Sequence, residues 1–213
     1  MASDEEWLIK DREALREIVG EPPQSMLLKT IDHVDEICAA YIAASPFLVL
    51  GTRGPDGLLD LSPKGDPAGF VQVLDKKTLA IPERLGNGRF DSFENLLQDP
   101  AIALIFLIPG HRDTLRVSGK GRITRDPDLL DRMAVNGRPP RFAILVTVEE
   151  AMTHCPKCMM RGGMWEPAKW PDTSELPTLA EATMVHGDLA RKMGRTLEEM
   201  HEIIENDGKN RLY

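Results

Sequence analysis

Apolar and polar residues along this chain follow a helical period at its two ends and a strand period in its middle. Ser3 is followed three residues later by Glu6, and Trp7, Leu8, Leu15, Ile18 and Val19 recur at near-helical spacing before Gly20 and Pro22-Pro23. That pattern predicts a capped amphipathic helix. A second helix is predicted over about 25–44, with Leu28, Ile31, Cys38, Tyr41 and Ile42 on one stripe and a stop before Pro46. From Phe47 the period shortens. The run 47–50, the turn Gly54-Pro55-Asp56-Gly57, and Leu59 and Leu61 alternating with Asp60 and Ser62 read as a hairpin. Strands over 70–73 and 78–81 follow, and four short strands in succession predict an antiparallel meander. A glycine-rich loop, 84–89, leads into a short helix over about 90–98. The nearly continuous apolar run 101–108 predicts a strand buried on both faces. Thr114 to Thr124 alternates, with Gly119 and Gly121 marking a bend or bulge. Asp126-Pro127 opens a short helix, and 142–148 supplies a last strand.

About seven strands with turns every eight to twelve residues favour a closed or split antiparallel barrel over a βαβ sheet. Beyond Met164, prolines 167, 171 and 177 punctuate an irregular stretch, followed by helices predicted over 178–193 and 196–205. The expected organisation is a helical segment over 1–45, a barrel over 46–165, and a helical extension over 166–213 that packs on the barrel or a partner subunit. A chain of 213 residues with 42% hydrophobic composition can bury one sizeable core.

Charge narrows the range of partners. The net charge of −8 repels nucleic-acid backbones and anionic lipid, so any anion must be held by a local basic site. No apolar run reaches the roughly 18 residues of a spanning helix. The acidic opening lacks the basic and then apolar pattern of a signal peptide, and a cytoplasmic protein is expected. Three cysteines, Cys38, Cys155 and Cys158, form no disulfide framework and fit a reducing compartment.

The segment Pro82-Glu83-Arg84-Leu85-Gly86-Asn87-Gly88-Arg89-Phe90-Asp91-Ser92 carries the most chemistry. Two arginines and two glycines run from a strand edge into a helix, where free N–H groups and the helix dipole favour an anion. It is neither a P-loop nor a dinucleotide fingerprint. Spacing alone leaves two readings open: a phosphate cradle, or a surface loop whose arginines pair with Glu83 and Asp91. Ser62 and Lys64 close an early strand. Thr114, Arg116 and Ser118 share one face of a later one by the period of two. The Cys155-Pro156-Lys157-Cys158 segment has no second ligand pair and no βαβ context, so neither zinc nor thioredoxin-like chemistry is expected. No hydrolase constellation is present, and His33, His154 and His201 have no evident partner.

The order of elements, together with GNGRFDSFENLLQDP, LIFLIPG and TLRVSGKGRI, resembles the pyridoxamine-5′-phosphate-oxidase-like FMN-binding family over about 47–165, and within it a subgroup of FMN-dependent enzymes. The resemblance implies a mainly β fold with flanking helices, a split antiparallel barrel of the FMN-binding type. It implies FMN as cofactor, with the phosphate held by Ser62, Lys64, Arg84, Asn87 and Arg89. Thr114 and Arg116 are implied near the flavin across a homodimer interface, and Lys157 and Trp165 at the cofactor site. The implied activity is oxidation or reduction of a small molecule; a non-catalytic flavin, deazaflavin (F420) or haem carrier is the alternative. Two departures set the chain apart from pyridoxamine-phosphate oxidases proper: the loop reads Arg-Leu-Gly-Asn-Gly-Arg, and residues 201–213 are acidic and helical instead of basic. Neither the catalytic residues nor the substrate can be named from the sequence.

Overall fold

The computed structural model describes residues 7–213. Three helices, α1 (Arg12–Val19), α2 (Gln24–Leu28) and α3 (Glu36–Ala44), precede the strands. β1 (Phe47–Arg53), β2 (Leu59–Gly65), β3 (Gln72–Asp75) and β4 (Thr78–Pro82) lead to α4 (Asp91–Gln98). β5 (Ala101–Leu107), β6 (Thr114–Thr124), α5 (Pro127–Arg132) and β7 (Ala143–His154) complete the sheet. α6 (Lys157–Arg161), α7 (Leu179–Gly187), α8 (Leu189–Met193) and α9 (Leu197–Asn210) follow it.

The seven strands form one antiparallel sheet in the order β2-β1-β5-β6-β7-β4-β3. It curls around a core of Leu48, Leu50, Leu79, Ile81, Phe106, Leu115, Val117, Ile144 and Val146 without closing, which makes it a split barrel. The predicted meander is corrected here. β1–β2 and β3–β4 are hairpins, but β2 and β3 lie at opposite edges because β5 takes the free side of β1 and β4 pairs with β7. β6 and β7 form the longest ladder, and its register shifts at Ser118–Gly119, where the glycine pair predicted a bulge. Below that bulge β7 pairs with β4 over 143–147; above it, Ala151 exchanges two hydrogen bonds with Ile31.

That exchange also breaks the predicted second helix. Ile31 is extended against Ala151, and the Asp35 carboxylate, accepting from Cys38 N at 2.8 Å, starts α3 afresh. In α1 the cap is Asp11, which accepts from Ala14 N at 2.8 Å, and Trp7 and Leu8 lie outside the helix; the predicted Ser3–Glu6 cap lies outside the described residues. The helix predicted over 178–193 is interrupted at Asp188, which adopts φ +52° between α7 and α8. β5 buries one face only: Ile102, Leu104 and Phe106 point to the core while Ala101 and Ala103 are exposed, so the expectation of two buried faces fails.

β2 departs most from the usual rule. Leu59, Leu61 and Pro63 face outward, while Asp60, Ser62 and Lys64 turn in beneath α4. There, Asn95 Nδ2 of α4 donates to Asp60 Oδ2 at 2.6 Å and to Thr52 Oγ1 at 3.1 Å, which ties α4 to β1 and β2 through polar groups. An edge strand that hides its polar side and shows its leucines requires a reason, and the cavity beneath α4 supplies one.

Candidate functional site

That cavity, of about 380 Å³, lies between β2, the loop 83–90 and the amino end of α4. Its walls bring together Ser62, Lys64, Arg84, Asn87 and Arg89, all five residues expected to hold a phosphate. β2 delivers Ser62 and Lys64 on one face by the strand period. β4 ends at Pro82 and hands the chain to the loop. Gly88, at φ +74°, and Phe90, at φ +60°, then turn it into α4 in the left-handed region. Phe90 provides no side-chain cap, so the amino end of α4 opens on the cavity beside Ser92 and Phe93. The loop carries no side chain packed over Gly86 or Gly88, leaving room for a ligand against the backbone.

The cations are already partnered. Lys64 Nζ lies 3.0 Å from Glu83 Oε2 and 5.5 Å from the centre of the Phe93 ring. Arg84 Nε donates to Asp66 Oδ2 at 2.6 Å, and its Nη2 donates to the Met133 carbonyl at 2.8 Å. Arg89 Nε donates to Asp91 Oδ2 at 2.7 Å, and Arg89 N donates to Asn87 Oδ1 at 3.0 Å. The surface-loop reading of these arginines therefore holds for Arg89 with Asp91, whereas Arg84 reaches Asp66 and Glu83 goes to Lys64. Each arginine fork keeps N–H groups beyond those used, so an incoming phosphate adds to the existing pairs. The donor set suits a phosphate monoester: a hydroxyl, an ammonium, two guanidinium forks and a helix end.

A second cavity, of about 320 Å³, lies on the other side of the same loop, and Arg84 belongs to both. It is walled by Arg138, Arg141, Phe142, Arg211 and Tyr213. Of its four arginines, Arg84 and Arg211 are paired with Asp66 and Asp207, while Arg138 and Arg141 have no carboxylate side-chain partner among the described residues and give this side a surplus of positive charge. Arg141 lies 5.8 Å from the Phe142 ring centre, a cation–π contact. The sequence reading missed these residues. Two arginines flanking Pro139-Pro140 were the available signal; nothing in the sequence pointed to Tyr213.

The other four expected residues do not line the first cavity. Thr114 is buried at the start of β6, opposite His154, and so presents no hydroxyl to solvent. Arg116 is exposed, with Nη2 3.2 Å from Met152 Sδ. Lys157 stands exposed on the first turn of α6. Trp165 is half-buried, its Nε1 donating to the His111 carbonyl at 2.7 Å, while His111 meets Tyr41 edge-on at 5.3 Å. Within a single chain these four lie outside the first cavity.

Cys155 and Cys158 are exposed, whereas burial pushes the Cys38 thiol up to about 11. Among the described residues no group of three or more metal-ligating side chains gathers, and no helix is long and apolar enough to cross a membrane. His33 has a partner after all, Asp32 at 2.9 Å, while His154 Nδ1 is buried without one. Burial, with Arg116 and Lys29 nearby, holds His154 below the ordinary imidazole value.

Comparison with known proteins identifies the family. No curated protein sequence matches the chain. Solved structures that it resembles include a HupZ variant from Group A Streptococcus, at 17% identity and TM-score 0.46 over 57% of this chain and 99% of that one. A candidate pyridoxamine 5′-phosphate oxidase from Lactobacillus delbrueckii matches at 22% identity and TM-score 0.44, over 57% and 99%. An F420 reductase matches at 19% identity and TM-score 0.39, over 53% and 93%. The sequence profile of the family described as pyridoxamine 5′-phosphate oxidase matches residues 34–155, from the start of α3 to the end of β7 and more than half of the chain. The split barrel, with its cavity beneath α4, thus belongs to a member of the pyridoxamine 5′-phosphate oxidase family.

Proposed function

We propose that this chain binds FMN in the first cavity and acts as an FMN-dependent oxidoreductase on a small molecule. The observation that carries the reading is the convergence of Ser62, Lys64, Arg84, Asn87 and Arg89 at the open amino end of α4. When bound, the flavin supplies hydride or electron transfer. The protein's share is placement: the arginine forks and Ser62 grip the phosphate, the α4 dipole complements its charge, and Phe90 and Phe93 keep water from one side. The second cavity, with its arginine surplus, suits an anionic substrate group. The charged side chains lining the first cavity are engaged within the protein: Lys64 with Glu83, Arg89 with Asp91, Arg84 with Asp66, and Asp60 with Asn95. This favours a second reading, a carrier that holds a flavin, a deazaflavin or a haem without turnover.

The test is the visible spectrum of the purified chain before and after FMN, F420 and haem are added separately and dialysed. A retained flavin spectrum that bleaches with NADH or NADPH and recovers with an added acceptor supports the enzyme. Retention without reduction supports the carrier, and a blank spectrum with FMN sinks the proposal. Arg89→Ala should weaken FMN about tenfold in a fluorescence titration, the low end for a charge-assisted contact because Arg89 is 71% exposed. An unchanged affinity would remove Arg89 from the site.

A homodimer is part of the same proposal. On the outer face of the sheet, Leu61, Gly51 and Ala103 form one row, and Pro63, Val49 and Ile105 the next, with Leu58 and Leu59 beside them 69% and 73% exposed. Such a stripe suits burial against a second copy, which would also bring Arg116, Lys157 and Trp165 of one chain towards the other. Light scattering should show a dimer at micromolar concentration and a monomer for Leu61→Lys. A monomeric parent chain would refute it.

A further inference from the structure

After α9 the chain returns to the barrel, and Tyr213 arrives at the loop between the two cavities. Its hydroxyl donates to Asp66 Oδ1 at 2.7 Å, while Arg84 Nε donates to Oδ2 of the same carboxylate at 2.6 Å. The Tyr213 ring lies under the guanidinium, 5.8 Å from centre to Cζ, and Arg138 Nη1 donates to the Tyr213 carbonyl at 2.8 Å. Asp66 is 1% exposed at its side chain. A buried carboxylate needs its lone pairs filled, and here one oxygen is filled by Arg84 and the other by Tyr213.

This division of labour decides where Arg84 points. With Oδ1 held by the phenol, the guanidinium binds Asp66 through Nε alone. Nη2 is free to reach the Met133 carbonyl, and Nη1 has no partner among the described residues. Without the phenol, Oδ1 would be an empty acceptor beside a five-donor fork, and the favourable rearrangement is a bidentate pair that turns the fork onto Asp66. We propose that Tyr213 is a positioning residue for the cofactor site: by occupying one oxygen of Asp66 it keeps Arg84 turned towards the phosphate, so the segment after α9 sets affinity at a loop more than a hundred positions earlier. This rests on the reading of the first cavity as an FMN phosphate site.

Two measurements on the full chain separate the two ideas. Hydrogen exchange over residues 84–90, without ligand, should be about fivefold faster or more in Tyr213→Phe than in the parent, because Asp66 Oδ1 loses its donor while the ring stays. The dissociation constant for FMN should rise about tenfold in Tyr213→Phe, and the substitution should add nothing in an Arg84→Ala background. A Tyr213→Phe chain with parental exchange, or with parental FMN affinity, overturns the assignment. If the parent fails to bind FMN while exchange still accelerates in the variant, the tie stands and the FMN reading falls.

Discussion

Replacing Gly119 with alanine should lower stability by about 3 kcal/mol or more, a fall in Tm of roughly 6–12 °C for a chain of this size. Gly119 sits at the register shift between β6 and β7, and a Cβ there would overlap the Thr147 carbonyl oxygen and crowd the Glu149 amide. Both obstacles are backbone, so neither can rotate away. Gly121, two residues on, is the control. Its added Cβ would meet only side-chain ends, those of Leu96 and Ile102, and Gly121→Ala should cost about 1 kcal/mol. Thermal melts that rank the two equally would remove the bulge from the argument. The damage should also reach the site, since the bulge marks where β7 leaves off pairing with β4, and β4 aims Pro82 and Arg84 at the cavity.

Arg84→Ala should have the largest effect on binding and a substantial one on stability. It strips Asp66, whose side chain is buried, of its ionic partner and leaves it only the Tyr213 hydroxyl. Breaking such a pair from one side costs about 3 kcal/mol, reduced to the extent that the carboxyl takes up a proton. The same change removes a guanidinium from the proposed phosphate grip, and the FMN dissociation constant should rise about 10- to 100-fold. A double variant separates the effects. Asp66→Asn with Arg84→Ala leaves no unpaired charge, so its melting temperature should recover while FMN binding stays weak. Recovery of both would show that Arg84 serves only the fold.

The contrast between what the sequence disclosed and what it hid has a physical pattern. β6, β4, α4 and the bulge at Gly119 were legible because period, turn residues and glycine placement are local signals. The five residues of the first cavity were grouped by the family resemblance; spacing alone tied Arg84 to Arg89 on one loop and put Ser62 and Lys64 on one strand face, without joining the two segments. The break at Ile31 was not legible, since its cause, two hydrogen bonds to Ala151, lies 120 positions away. The inversion of β2 was hidden for a related reason: alternation shows that leucines and polar residues take opposite faces, not which face meets the core. Thr114 was placed on the face of Arg116 by the same alternation, yet it is buried together with Leu115 at the start of β6. Tyr213 left no local trace, because its partners Asp66 and Arg84 are reached only through the folded helical extension.

The unclosed sheet carries a hazard that its own composition tempers. β2 and β3 each present a row of backbone groups with no neighbouring strand, and β2 adds exposed leucines to that row. A flat, apolar border of this kind recruits strands from other molecules and can extend without limit into fibrils. Pro63 stands in the middle of β2 with its β1 ladder intact on both sides, so the N–H it lacks is missing from the outward border. A newcomer strand would find a gap in the donor row there. The open border beside the proposed ligand cleft thus carries, in a single imino acid, a break in the donor row that strand addition requires.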